Sequence, residues 1–186
     1  MARESKFTKS MKQSYAANHL DFDTTYDRTI ALLKVYRDAY WCLSEDFEEL
    51  EEYSYIECGD SEAVITYLTT FAPEKELQFF TDRVQNAAES RLILSLIRRA
   101  SLRMKDYPNG GAVYYDIISL TYMYYCINTQ EDILDMLDME RSTYFRKKKE
   151  AVLLLGYILF GKIIPEHREN PTSRQVCATN LRLNCD

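Results

Sequence analysis

The sequence predicts an all-α protein, in which a long N-terminal helical hairpin is followed by a C-terminal helix-turn-helix domain. The first supporting observation is the scarcity of turn residues, because only 5 of the 186 residues are glycine and 4 are proline. Sheet-rich folds need many tight turns, which are built largely from such residues. The second observation is an apolar pattern whose spacing alternates between four and three residues, as on one stripe of a long helix.

Composition and charge exclude several classes of protein. The hydrophobic fraction of 46% and the charged fraction of 28% are those of a globular chain, not of a disordered or fibrous one. A formal net charge of −6 argues against a general polyanion binder. The charge is uneven, however, because residues 21–60 carry a net −9 and residues 141–186 a net +5. Nucleic acids are bound by local basic patches, so the C-terminal segment remains a candidate.

Cysteine usage and apolar runs predict a cytoplasmic chain without metal or other cofactor. The five cysteines are odd in number and include no C-x-x-C pair, and there are only two histidines. We expect reduced thiols, with Cys42 and Cys126 packed in the interior. No apolar run reaches the ~18 residues that cross a bilayer. The polar first residues do not predict a secretory signal either.

No motif predicts an enzyme. The sequence contains no glycine-rich phosphate loop, no paired Cys/His ligands and no G-x-S-x-G motif. Its carboxylates are concentrated at residues 45–52, where six of eight residues are acidic. This segment is expected to be a solvated helix face that points away from DNA, or alternatively a docking surface for a basic partner such as a polymerase.

Two long helices are predicted in the first half of the chain. The first begins at Phe22 and continues to Leu50, before the breaker Cys58-Gly59-Asp60. A short helix is expected from Ser61 to Phe71, and a second long helix from Pro73 to about Lys105, since proline suits a first helical turn. Both long helices have an apolar stripe, so they form either an intramolecular hairpin or the contact of a homodimer.

The strongest loop signal, Tyr107-Pro108-Asn109-Gly110-Gly111, marks the main predicted boundary. With two further boundaries, near residues 20 and 163, it gives four predicted segments. These are a basic N-terminal arm (1–20), the long-helix region (21–107), the helix-turn-helix domain (112–163) and a polar tail (164–186).

The second half contains three helical patterns. The first, strongly apolar and aromatic, extends from Ala112 to Ile127, and the other two are separated by three residues. Thr129 is the expected N-cap of a helix that ends at Leu137, and Asp138-Met139-Glu140 connects it to a basic helix that begins at Arg141. Two helices joined by such a short turn are typical of a helix-turn-helix. A small core must fix their crossing angle, and the expected members are Ile133, Leu137, Met139 and Tyr144.

The stretch from Ile118 to Leu155 resembles region four of bacterial sigma factors, with Leu120-Thr121-Tyr122 before a Thr-x-Glu-x-Ile-x-x-x-Leu helix. It is more similar to the ArpU-like (autolysin-regulatory) regulators of phages and prophages, which share a segment like Ser142-Thr143-Tyr144-Phe145-Arg146 followed by lysines. The similarity covers about 50 of the 186 residues.

Three positions depart from the family pattern. Leu134 stands where the pattern has a small residue, Asp138 where it has a turn glycine, and Glu140 where it has a capping Ser or Thr. Aspartate tolerates the left-handed backbone of such a turn, whereas glutamate is a poorer N-cap.

The resemblance implies a DNA-binding transcriptional regulator whose segment 141–149 enters the major groove of double-stranded DNA. The residues expected to contact DNA are Arg141, Ser142, Thr143, Phe145, Arg146, Lys147 and Lys149. For the cations the alternative is a solvated helix face, and for Ser142 and Thr143 it is an ordinary first helical turn. Lys148 is expected to lay its stem on the core and extend its charge outward.

Two further hypotheses concern partners. Arg98, Arg99, Arg103 and Lys105 form a second basic cluster, which either follows a DNA backbone or pairs with nearby acids. The chain as a whole is alternatively a protein-interaction module that binds RNA polymerase or another regulator, with little DNA affinity of its own.

Overall fold

The computed structural model describes residues 5–42, 61–73, 87–124 and 127–169. All regular structure within these ranges is helical, so the all-α prediction is confirmed. We number the helices α1 (Lys6–Ala17), α2 (Phe22–Cys42), α3 (Ser61–Thr70), α4 (Ala87–Lys105), α5 (Gly111–Ile118), α6 (Gln130–Leu137), α7 (Arg141–Ile158) and α8 (Ile164–Glu169). A π-helical turn continues α5 over Ser119–Met123, and another continues α7 over Leu159–Ile163.

The predicted long helices are found where the structure describes them. Helix α2 begins at Phe22, as predicted, and α4 ends at Lys105. The acidic run at 45–52, the breaker Cys58-Gly59-Asp60 and the predicted helical residues 74–86 lie outside the described residues. Cys126 and the side chain of Cys42 lie outside them too.

Helix α7 is the centre of the packing. Its second half, from Ala151 to Leu155, is buried on all sides, and it contacts α1, α2, α4 and α5. A single hydrophobic core therefore extends from Met11 in α1 to Ile164 in α8. The boundary predicted at 107–111 does not divide this core, because the apolar half of α7 fills the space between the helices of both predicted segments.

Both ends of the described chain differ from the sequence interpretation. The segment interpreted as a basic arm contains α1, which buries Thr8, Met11 and Tyr15 on one stripe. The segment interpreted as a polar tail begins with α8, where Ile164 is buried. Ion pairs from Glu166 to Arg103 and from Arg168 to Glu62 hold α8 against α4 and α3.

A glycine permits a close approach of α7 to α1 and α2. A Cβ atom at Gly156 in α7 would lie 2.6 Å from Oγ1 of Thr29 in α2 and 2.9 Å from the hydroxyl of Tyr15 in α1. These separations are shorter than an ordinary van der Waals contact, so a side chain at this position would force Thr29 or Tyr15 to shift.

Candidate nucleic-acid interface

Helix α6 begins with the cap that the sequence predicts. Thr129 Oγ1 accepts a hydrogen bond from the backbone N–H of Asp132 at 3.2 Å, and Asp132 Oδ2 accepts one from the backbone N–H of Thr129 at 2.9 Å. The two residues form a capping box. Hydrogen bonds from the Thr129 side chain and backbone hold the pKa of Asp132 below its usual value.

The connection to α7 is a tight turn with left-handed backbone at Asp138, where φ is 46° and ψ is 55°. Aspartate tolerates this conformation better than most residues, as expected from the sequence. Its N–H donates to the carbonyl of Asp135 at 3.3 Å, and the N–H of Met139 donates to that of Leu134 at 3.1 Å. Glu140 precedes α7 without a side-chain capping bond, in line with its poor capping preference.

A second, smaller core fixes α6 and α7 against α5. Ile117, Ile133 and Tyr144 are buried in it, and the partly buried side chains around them are Val113, Leu120, Leu134, Leu137 and Met139. All four residues expected to form this core are present. The hydroxyl of Tyr144 also lies 3.0 Å from Oγ1 of Thr121 in the π-helical turn. The side of the first two turns of α7 that carries Tyr144 is thus packed against α5 and α6.

The opposite side of those turns carries the predicted site residues. Arg141, Ser142, Phe145, Arg146 and Lys149 are exposed, whereas Thr143 and Lys147 are half-buried. At about 100° per residue, the five exposed positions span one arc of about 140° on α7. The guanidinium of Arg141 lies 5.8 Å from the ring centre of Phe145, so these two side chains form one outward group.

The remaining cations of α7 lie against aromatic rings. Lys147 Nζ is 5.5 Å from the ring centre of Tyr114. Lys148 Nζ is 4.9 Å from that of Tyr122 and 5.7 Å from that of Tyr144, so its stem lies on the small core, as expected. Burial raises the pKa of Tyr122, and the Lys148 cation opposes this effect.

Glu150 lies next to the predicted site residue Arg146, although no pattern in the sequence indicates it. Glu150 is buried, with 4% exposure, and its carboxylate accepts hydrogen bonds from Ser5 Oγ at 2.8 Å and from the Tyr114 hydroxyl at 3.1 Å. Arg146 Nη1 lies 3.6 Å from the same carboxylate. Burial and the negative charge of Glu150 raise the pKa of Tyr114. The only available signal was an acidic residue at the head of the apolar run 151–155; its partner Ser5 lies too far away in the sequence to be inferred.

Charge separates the two helices of this unit. Helix α6 and the turn after it carry exposed acids without a base, namely Glu131, Asp132, Asp135, Asp138 and Glu140. The first nine residues of α7 carry five bases and no acid. A polyanion can therefore approach the outward arc of α7 and is repelled from α6.

The second basic cluster is largely occupied by contacts within the chain. Arg103 donates to Glu166 at 2.7 Å, and Lys105 Nζ lies 5.2 Å from the ring centre of Tyr115. Arg99 is half-buried and Arg98 is exposed. Arg103 is therefore paired with a nearby acid, Glu166 in α8.

A groove of about 520 Å³ lies between α2, α4, α5 and α6. Three large apolar side chains in its wall, Leu102, Tyr124 and Met136, are exposed to solvent. Arg37 supports this wall, because its guanidinium donates to the carbonyls of Thr121 and Tyr124, both at 3.0 Å, at the π-helical turn. The groove is a separate surface from the outward arc of α7.

The described residues contain neither a candidate metal site nor a membrane-spanning helix. No three His, Cys, Asp or Glu side chains among them are close enough together to hold a metal ion, and no described helix is long and apolar enough to cross a bilayer. No protein-family model, curated protein or solved structure matches the chain.

Proposed function

We propose that the chain is a DNA-binding transcriptional regulator of phage or prophage type, with segment 141–149 in the major groove. The observation that carries this proposal is the outward arc of α7, where Arg141, Arg146 and Lys149 are exposed on a helix whose inner side is fixed by a small core. A rigid helix that presents cations and short polar side chains is what groove recognition requires. No cofactor and no catalytic step enter the proposal.

The predicted site residues at the start of α7 have distinct proposed roles. Arg146, Lys147 and Lys149 contact phosphates, which positions the protein on the duplex. Ser142 and Thr143 lie in the first turn of α7, the part of a recognition helix that meets base edges. The exposed ring of Phe145 suits an apolar contact with a thymine methyl group.

We further propose that the chain binds DNA in the cytoplasm as a homodimer. One helix-turn-helix contacts only a short half-site, so useful affinity requires a second copy or another partner. The described parts of α2 and α4 bury residues such as Leu33 and Ile97 within the chain, which favours the intramolecular alternative for the long helices. Trp41, exposed near the end of α2, offers apolar surface to a second copy.

A second candidate function has its own support. The exposed apolar wall of the groove and the acidic face of α6 suit a protein surface better than a polyanion. On this alternative the chain is an interaction module for RNA polymerase or another regulator. A stoichiometric protein partner recovered from cell lysate, together with no measurable DNA binding, would favour the alternative over the proposal.

The proposal is tested with the double variant Arg146→Ala/Lys147→Ala and mixed-sequence duplex DNA. Each lost phosphate contact is expected to reduce the slope of log affinity against log salt by about 0.9. Lys162→Ala is the matched control, because Lys162 lies after α7, roughly 24 Å along the helix from Arg146, with its ammonium over Tyr157. Unchanged affinity and slope in the double variant would overturn the proposal.

A further inference from the structure

We infer that α1 is a second phosphate-contacting element, in which Lys6 and Lys9 extend the basic surface of α7 along the DNA backbone. The inference rests on the proposed function, because it names the other part of the chain that would contact the same duplex. It is carried by the side-chain contacts that hold the first turn of α1 beside Arg146 and Lys147.

The first contact passes through the buried carboxylate of Glu150. Ser5 Oγ donates to one oxygen of this group at 2.8 Å, and Arg146 Nη1 lies 3.6 Å from the other oxygen. Ser5 is also the N-cap of α1, since its hydroxyl accepts from the backbone N–H of Thr8 at 3.1 Å. The start of α1 and the proposed phosphate ligand Arg146 are therefore separated by a single carboxylate.

The second contact passes through the ring of Tyr114. Phe7 packs on this ring with 5.5 Å between the ring centres, and Lys147 Nζ lies 5.5 Å from the same ring centre. Lys6 is placed between Ser5 and Phe7 in the chain, so both of its neighbours touch a group that α7 also touches. Its own side chain is exposed.

The direction of α1 brings its first turn, and not its last, to the DNA-facing half of α7. Ser5 contacts Glu150, the Tyr15 hydroxyl donates to the carbonyl of Leu153 at 2.7 Å, and the Asn18 amide donates to the Tyr157 hydroxyl at 3.2 Å. The order of these contacts is the same in both helices, so α1 and α7 are parallel.

The cations of α1 are placed toward solvent. At about 100° per residue, Lys6 and Lys9 are about 60° apart, on the side of α1 turned away from its buried residues Met11 and Tyr15. Lys12 differs, because its ammonium lies 5.2 Å from the ring centre of Phe22. Helix α1 contains no acidic residue, so Lys6, Lys9, Arg146 and Lys149 form one basic surface whose fitting partner is a phosphate backbone.

The inference is tested by fluorescence anisotropy with mixed-sequence duplex DNA, using Lys6→Gln/Lys9→Gln, Arg146→Ala/Lys147→Ala and the control Lys162→Gln. Removal of two phosphate contacts should reduce the loss of affinity between about 50 and 200 mM salt by about 10-fold. We expect this reduction for the α1 variant and for the α7 variant. Lys162→Gln should match the wild type.

The outcomes separate the inference from the proposed function. If the α7 variant shows the reduced salt dependence while the α1 variant matches the wild type, the inference is overturned and the proposed function stands. A change in salt slope for Lys162→Gln about half that of the α1 double variant, and so equal per charge removed, would also overturn it, because net charge and not position would then set the affinity. Absence of salt-dependent binding by the wild type would overturn both.

Discussion

Arg146 and Glu150 form an ion pair across the boundary between solvent and core: the guanidinium side chain is 54% exposed, the carboxylate side chain 5%, and the two groups are 3.6 Å apart. The carboxylate also accepts hydrogen bonds from Ser5 and Tyr114, so Arg146 is not its sole partner. The guanidinium can therefore exchange this partner for a phosphate oxygen without unpacking α7. Glu150 thus links α1 to α7, and on the proposed function it would compete with a DNA phosphate for Arg146.

Replacing Glu150 by glutamine should strengthen DNA binding. The amide keeps one oxygen acceptor for one of the two hydroxyl groups, its NH2 group can donate to the oxygen of the other hydroxyl, and one negative charge next to Arg146 is removed. We expect a severalfold higher affinity at low salt and a steeper salt dependence. The thermal unfolding midpoint serves as the control for folding, and a weaker complex from a normally folded variant would contradict the role assigned to Glu150.

Replacing Gly156 by alanine should destabilise the protein by about 1–3 kcal/mol, because the added methyl group overlaps Thr29 and Tyr15. Gly161→Ala is the matched control in the following π-helical turn. There the nearest atom to an added Cβ is the flexible Cδ1 of Leu20, at 3.3 Å. Urea denaturation at neutral pH gives both changes in the free energy of unfolding. Equal values for the two variants would show that α1, α2 and α7 do not meet at Gly156.

How much of this structure could be predicted depends on how local each signal is. Thr129, Asp138 and Tyr144 determine the cap, the turn and the small core through residues only a few positions apart, so the sequence predicted the unit from α6 to the start of α7. The all-helical class followed equally directly from turn-residue scarcity.

Long-range packing could not be predicted in the same way. Helix α1 buries only Thr8, Met11 and Tyr15 among many polar residues, so it was interpreted as a basic arm. The second half of α7 is apolar on every side, so its sequence does not indicate which helix packs against which side. Ser5 and Glu150 are brought together only by this packing, and for that reason the centre of the candidate site was not predicted.

The left-handed backbone at Asp138 predicts an order of stability for variants at that position. Asp138→Gly should be as stable as the wild type or more stable by up to about 1 kcal/mol, because glycine adopts positive φ without steric cost. Asp138→Val should cost about 1–2 kcal/mol, since a β-branched residue is disfavoured there. Chemical denaturation of the three proteins gives the order, and a valine variant as stable as the glycine variant would contradict the observed turn.

The buried tyrosines predict a loss of stability at alkaline pH. Burial raises the pKa of Tyr36 to about 12, above the value of about 10 in an unfolded chain. The folded state therefore favours the neutral phenol. The resulting contribution of Tyr36 to the free energy of unfolding is complete below about pH 10 and is lost as the pH rises toward about 12. Urea midpoints for the wild type and Tyr36→Phe at about pH 9 and 11 test this. The variant should lose less stability over that interval, and an equal loss would contradict the assignment.

The central claim, that α7 binds duplex DNA, is tested most directly by titrating the unmodified chain into fluorescent mixed-sequence duplex at about 50 and 200 mM salt. If Arg146, Lys147 and Lys149 together with Lys6 and Lys9 contact phosphates, the release of about five counterions predicts a loss of affinity of several hundredfold over this range. Binding that is independent of salt, or no binding at the lower concentration, would contradict the claim.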